Sequence, residues 1–258
     1  VYDLNQASHG LLEDYPGECY PADVMVSLVA VKRASAILGE DRSAWLTDFQ
    51  KHFVGELDHK LGLPSYFADA SSGTPYDASR GCANSYLTTF GPELWPGLAS
   101  KWFERYQEYF WQDRGYGVGF REFGRGEQPG RMNLDSGPII DGFGVAATAF
   151  GLSACRANGR YDLAYPLTGQ MLVASWPLPV KGLLIPNVLS NQHAPLLGEA
   201  SIVFQLSQRT NAAVHQSTPY SGSRLPWSVY VGLAFYFLMG TGCIFLGWRW
   251  WRRRRNPS

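Results

Sequence analysis

Between Leu225 and Trp248 the chain carries no charged side chain, and no other stretch constrains its fold as strongly. The run from Trp227 to Trp248 is close to the ~20 residues that a helix needs to cross ~30 Å of hydrocarbon. Trp227 stands at one end and Trp248, Trp250 and Trp251 at the other, where amphipathic rings meet lipid headgroups; Arg252, Arg253, Arg254 and Arg255 follow at once. A core helix of a soluble protein is rarely bracketed by tryptophans and closed by a block of arginines. The sequence therefore predicts a single transmembrane helix over 225–248 and a basic tail over 249–258. By the positive-inside rule the tail is cytoplasmic. The expected location is the plasma (inner) membrane, with the bulk of the chain extracytoplasmic, periplasmic if the cell is bacterial.

Within that helix Gly240, Cys243 and Gly247 fall at helical spacing. Small residues so placed let a second helix approach closely, and incidental glycines facing lipid give the same pattern. The sequence leaves both readings open.

The formal net charge of zero hides an asymmetry. No acidic residue lies beyond Glu199, and taking Arg249 and Arg252 to Arg255 from the 22 basic residues leaves 17 against 22 acidic ones. The part before the membrane helix is mildly acidic, which argues against a nucleic-acid surface. With 45% hydrophobic residues the remainder suffices for one folded domain, expected over 1–208, joined to the helix by a Ser/Thr/Asn/Gln-rich linker over 209–224. Val1 in place of a methionine admits an upstream signal peptide or membrane helix.

Of four cysteines, Cys19, Cys82 and Cys155 precede the membrane segment and Cys243 lies within it. Their spacings match no zinc pattern, and the residues read as small buried apolar groups, with a Cys19–Cys82 bridge in an oxidising compartment as the alternative. His9, His52, His59, His193 and His215 form no HExxH pair, so no metal is implied, and nothing names a cofactor.

Helical patterns of two kinds alternate. Ala22 to Leu38 is apolar nearly all round, follows Pro21 and stops at Gly39, whereas Ser43 to His59 repeats Trp45, Phe49, Phe53 and Leu57 along one face. Asn84 to Phe90 is again apolar and Pro96 to Trp111 amphipathic. Ile139 to Ala157 is apolar, Tyr161 to Ala174 is its partner, and Leu196 to Leu206 begins a fourth unit. Trp176 to Pro186 reads as an extended connection. The apolar helices start about sixty residues apart, which suggests stacked helical hairpins.

This alternation resembles the (α/α) toroids, in which inner and outer helices ring a central cup, as in many glycan-processing enzymes and in linalool dehydratase-isomerase. The resemblance is architectural, spans about residues 15–208 and rests on no diagnostic motif. It implies a mainly α fold, here an incomplete toroid-like array of hairpins. It also implies that the loops entering the inner helices line the cup. Those entrances hold Glu18, Cys19, Tyr20 and Asp23; Arg80, Cys82, Asn84 and Ser85; Asp135, Ser136 and Asp141; and His193 and Glu199. Glu18, Arg80, Asp135, Asp141 and Glu199 are the candidate catalytic residues, as carboxylates for acid/base work and an arginine for an anion. Helix capping and loop bracing account for the same residues, and Asp135-Ser136 looks like a helix N-terminal signal.

The glycine-rich stretch Arg114 to Gly126 lacks the GK[ST] ending of a phosphate loop and reads as a hairpin or flap, pinned by Phe120 and Phe123. Two functions fit. One is an accessory or structural subunit of a membrane complex, whose helical domain docks on partner subunits. The other is a membrane-tethered toroid enzyme acting by carboxylate chemistry on a glycan, lipid-linked sugar or terpenoid. The subunit reading leads at this level, with the lipid bilayer and partner subunits as the expected contacts.

Overall fold

A computed structural model describes residues 12–55, 60–128, 136–174, 197–214 and 217–255. The described residues form eight helices: α1 (Pro21–Leu38), α2 (Ser43–Gly55), α3 (Gly81–Leu94), α4 (Pro96–Phe110), α5 (Val145–Ala157), α6 (Tyr161–Ala174), α7 (Leu197–Ser207) and α8 (Trp227–Arg255). Three two-stranded antiparallel pairs accompany them: β1 (Glu18–Cys19) with β2 (Ala68–Asp69), β3 (Trp111–Asp113) with β4 (Val118–Phe120), and β5 (Ile139–Ile140) with β6 (Phe143–Gly144). The fold is mainly helical, and α8 is long and apolar enough to cross a membrane and almost wholly exposed.

The local rules are visible at the helix ends. Pro21 opens α1, where its missing N–H costs nothing, and Gly39 closes it in the left-handed conformation at φ 71°. Two helices run through a proline, and in each the carbonyl that loses its donor finds another. Pro92 deprives Thr88 of its partner in α3, and Asn158 Nδ2 donates to that carbonyl at 2.7 Å. Pro166 does the same to Asp162 in α6, and Ser223 Oγ donates at 2.9 Å.

The predominantly apolar helices lie side by side. α1 packs on α3, α3 on α5 and α5 on α7, while α4 covers α3 and α6 covers α5. α3 and α5 run parallel from a common end: Gly81 sits against Ala147, and eight residues into α3 the Thr89 and Ser153 hydroxyls meet at 2.9 Å. Leu28, Leu87, Tyr106, Phe120 and Leu152 are fully buried between these layers. In α2, Phe49 and Phe53 are buried and Asp48 pairs with Lys51 on the wet side, as the four-residue spacing predicts.

Two helix boundaries need correction, and of the two readings of the cysteines the buried free thiol holds. The apolar run from Ile139 is not the start of a helix: Ile139 to Gly144 is the β5–β6 hairpin, turning at Asp141 (φ 50°) and Gly142 (φ 84°), and α5 begins only at Val145. The helix expected from Asn84 begins at Gly81 and continues to Leu94. Cys19 and Cys82 are both free thiols, as is Cys155. The glycine-rich stretch is a hairpin, β3–β4, but Phe120 builds it into the core by stacking on Tyr106 at 4.3 Å, an arrangement contributing about 1 kcal/mol beyond burial.

The segment 209–224 is not a free tether where it is described. Asn211 N donates to Ala157 O and Thr218 N to Gly159 O, and the Tyr161 hydroxyl meets Thr210 Oγ1 at 2.7 Å. Trp227 N then donates to Gly115 O at the tip of the β3–β4 hairpin. The five histidines, the 176–186 connection and Leu57 lie outside the described residues or their described side chains.

Candidate functional site

A cleft of about 550 Å³ opens between the first turns of α1 and α3. Five aromatic side chains line it: Tyr15, Tyr20, Tyr66, Tyr86 and Phe150. They brace one another edge to face, Tyr15 on Tyr20 at 5.8 Å, Tyr20 on Tyr66 at 5.4 Å and Tyr86 on Phe150 at 4.6 Å. The polar lining comes from Asp23 and Ser27 of α1 and Cys82 of α3. Asp23 stands in the first turn of α1, where the helix dipole favours its charge.

Behind Cys82 lies Glu122, fully buried. Its Oε2 accepts from the Cys82 backbone N–H at 3.2 Å, and its Oε1 accepts from the Cys82 thiol at 3.1 Å. A carboxylate at the first turn of α3 thus meets free N–H groups and the positive end of the helix dipole. The approach needs glycines. Gly81 N donates to Glu122 O, and a Cβ at Gly81 would overlap the Arg121 carbonyl; a Cβ at Gly144 would press on Glu122 Oε2 at 3.1 Å. Burial first, and then the charge of Glu122, push the Cys82 thiol well above its ordinary range. Cys82 is therefore a protonated thiol, a donor rather than a resting thiolate nucleophile. Burial likewise raises the Tyr86 phenol, with smaller contributions from Asp23 and Cys82. The cleft wall offers phenol and thiol donors and one ionisable carboxylate.

Arg80, the residue before α3, flanks this arrangement. Its Nε and Nη2 both bond Asp77 Oδ2, at 3.0 and 2.6 Å, and its guanidinium lies between the rings of Tyr66 (4.5 Å) and Phe123 (5.2 Å). Nη1 is buried without a hydrogen-bond partner. Glu18 sits on β1, where its carboxylate accepts from the Tyr20 hydroxyl at 3.0 Å. Both residues thus touch the cleft through its tyrosines and neither lines it. Asp141 stands apart, at the β5–β6 turn, where the Tyr116 hydroxyl donates to it and Arg114 pairs with it at 3.6 Å. Its positive φ marks a turn residue, and it is absent from the cleft wall. Asp135 and the Glu199 side chain lie outside the described residues.

Glu122 was missed at the level of sequence, though a signal was there. Val118, Phe120 and Glu122 alternate along one strand direction and all three are buried, so the carboxylate occupies a core-facing position. Among the described residues no three His, Cys, Asp or Glu side chains cluster so as to hold a metal ion. No protein-family model matches the chain. No curated protein matches it either.

Proposed function

We propose that this chain is a membrane-tethered enzyme, an extracytoplasmic helical domain that processes a small ligand of mixed polar and apolar character in its aromatic cleft. The observation that carries the reading is the Cys82–Glu122 pair set at the base of a cleft walled by four tyrosines, Phe150 and Asp23. Phenyl and phenol faces bind sugar rings and isoprenoid chains alike, so glycans, lipid-linked sugars and terpenoids remain the substrate classes. Asp23 is assigned the general base and the phenol and thiol groups the proton donors, with Glu122 holding the Cys82 thiol and backbone N–H in place. The side-by-side row of α1, α3, α5 and α7 with α4 and α6 outside supports the (α/α) toroid architecture. The arginines after Trp251 support a cytoplasmic tail and a plasma-membrane location.

The test uses the full chain in nanodiscs with three probes: maltose, a polyprenyl-phosphate sugar and an acyclic C10 terpene alcohol, with products read by mass spectrometry. One probe is expected to be converted by the wild type and left intact by Asp23→Asn at unchanged melting temperature. Conversion that is equal in Asp23→Asn and Glu122→Gln, or absent for all three classes, would count against the reading.

The accessory-subunit reading has its own support. Gly240 and Gly247 of α8 have nothing within 4 Å, so the helix surface there is bare and small. If docking on partner subunits is the function, the protein released in mild detergent co-migrates with a second polypeptide, and Gly240→Leu separates them. Migration as a lone chain sinks that version.

A further inference from the structure

α6 and α8 meet deeper along α8 than a domain standing clear of the bilayer would allow. Gly169 of α6 faces Leu225 and Val229, Gly232 of α8 makes room for Val173, and the Tyr236 hydroxyl donates to the Val173 carbonyl at 3.3 Å. Gly232 and Tyr236 lie five and nine residues past Trp227, about 7 and 13 Å along the helix axis. From Trp227 to Trp248 the helix is about 31 Å long, the thickness of the hydrocarbon layer. If the boundary were moved down to Tyr236 to free α6, only about 18 Å would remain before Trp248, too short to span.

The end of α6 is chemically fit for lipid. No residue from Leu163 to Val180 is charged. The Gln170 amide turns inward, accepting from Val118 N at 2.8 Å and donating to Val118 O at 2.6 Å, and Thr168 satisfies its hydroxyl on the Ala164 carbonyl. Tyr236 supplies a donor to Val173, one of the last-turn carbonyls that a helix leaves free and that hydrocarbon cannot satisfy. Leu172 remains 48% exposed, an apolar side chain facing outward beside α8.

We propose that the last two turns of α6 lie in the outer half of the bilayer against α8, so that the domain rests on the membrane instead of swinging from it. The inference depends on the reading that α8 spans a membrane. It has a consequence for the cleft. Trp227 binds the β3–β4 hairpin, and that hairpin leads through Glu122 to the first residues of α3 and α5. The cleft, lined by the first turns of α1 and α3, therefore lies at the membrane-facing end of the domain.

The full chain, reconstituted in phosphatidylcholine vesicles, is labelled with a nitrobenzoxadiazole maleimide at one cysteine at a time. The sites are native Cys243 in the wild type, and Leu172→Cys, Ala174→Cys or Ile37→Cys in a Cys243→Ser background; the remaining cysteines are buried. Labels at 172 and 174 are expected to be quenched by spin-labelled acyl chains several-fold more than the label at 37, and shielded from aqueous iodide. Iodide access at both sites equal to that at 37, with the Cys243 label still quenched from the lipid, overturns the α6 placement and leaves the span standing. Loss of lipid quenching at Cys243 overturns both.

Discussion

The thiol of Cys82 and the carboxylate of Glu122, forty residues apart in sequence, meet at 3.1 Å beneath the cleft, with the Cys82 backbone N–H closing the second bond. Glu122 is thus held by the end of a helix as well as by a side chain. Truncation to Glu122→Ala leaves that N–H buried without an acceptor, and a loss of about 2–3 kcal/mol is expected. Glu122→Gln keeps an acceptor and should lose less. Urea unfolding in detergent measures both, and equal midpoints for alanine and wild type would remove Glu122 from the architecture.

The close approach that brings Glu122 to α3 depends on Gly81. Gly81→Ala drives a Cβ into the Arg121 carbonyl, backbone that cannot yield, and a destabilisation of about 3 kcal/mol is expected. Gly97→Ala, in the first turn of α4 with open space around it, should be neutral or slightly stabilising. The pair of melting temperatures separates a steric demand from a general intolerance of alanine.

Arg80 is held by geometry that lysine cannot reproduce: two bonds to one Asp77 oxygen and rings on either side. Arg80→Lys should therefore cost about 1–2 kcal/mol although the charge is kept. Denaturation of Arg80→Lys at the wild-type midpoint would show that charge alone suffices.

Asp14 gives the domain a pH dependence. Desolvation by the groups around it raises its carboxyl to about 6; the bond from the Tyr20 amide pulls the other way, and the charge of Asp23 adds to the rise. Its unfolded value is 3.8, so the native state holds the proton more tightly. The stabilisation is complete below about pH 4 and is lost as the pH climbs through 6. Asp14→Asn, which keeps an acceptor for Tyr20, should match the wild type near pH 4 and exceed it near pH 8. Solvent screening at this exposed residue limits the gain to about 1 kcal/mol. A difference in melting temperature that does not vary with pH contradicts the assignment.

How far the sequence reveals this fold depends on the kind of signal. α6 was legible to both ends, and α1 ended where Gly39 predicts, because capping and periodicity are local. The Ile139–Gly144 run misled because a short apolar stretch suits strand and helix alike, although Asp141-Gly142 is a strong hairpin dipeptide. The same turn explains why Asp141 looked functional: a turn position favours aspartate without any chemistry. At the cleft, Asp23, Cys82 and Tyr20 were visible as residues before or within the first helical turns. Glu122, Tyr66 and Phe150 were not, since their convergence depends on long-range packing of α1, α3, α5 and the hairpin. Glu18 and Arg80 were found near the site but one side chain removed from it.

The account stands or falls on whether the cleft holds a ligand. Ser27, on its wall, can be replaced by tryptophan to fill it while leaving the Cys82 and Glu122 residues themselves unchanged. Native mass spectrometry of the full chain extracted from its own membranes should show a bound small molecule on the wild type and none on Ser27→Trp. The same added ligand mass on both, or none on either, would contradict a working cleft.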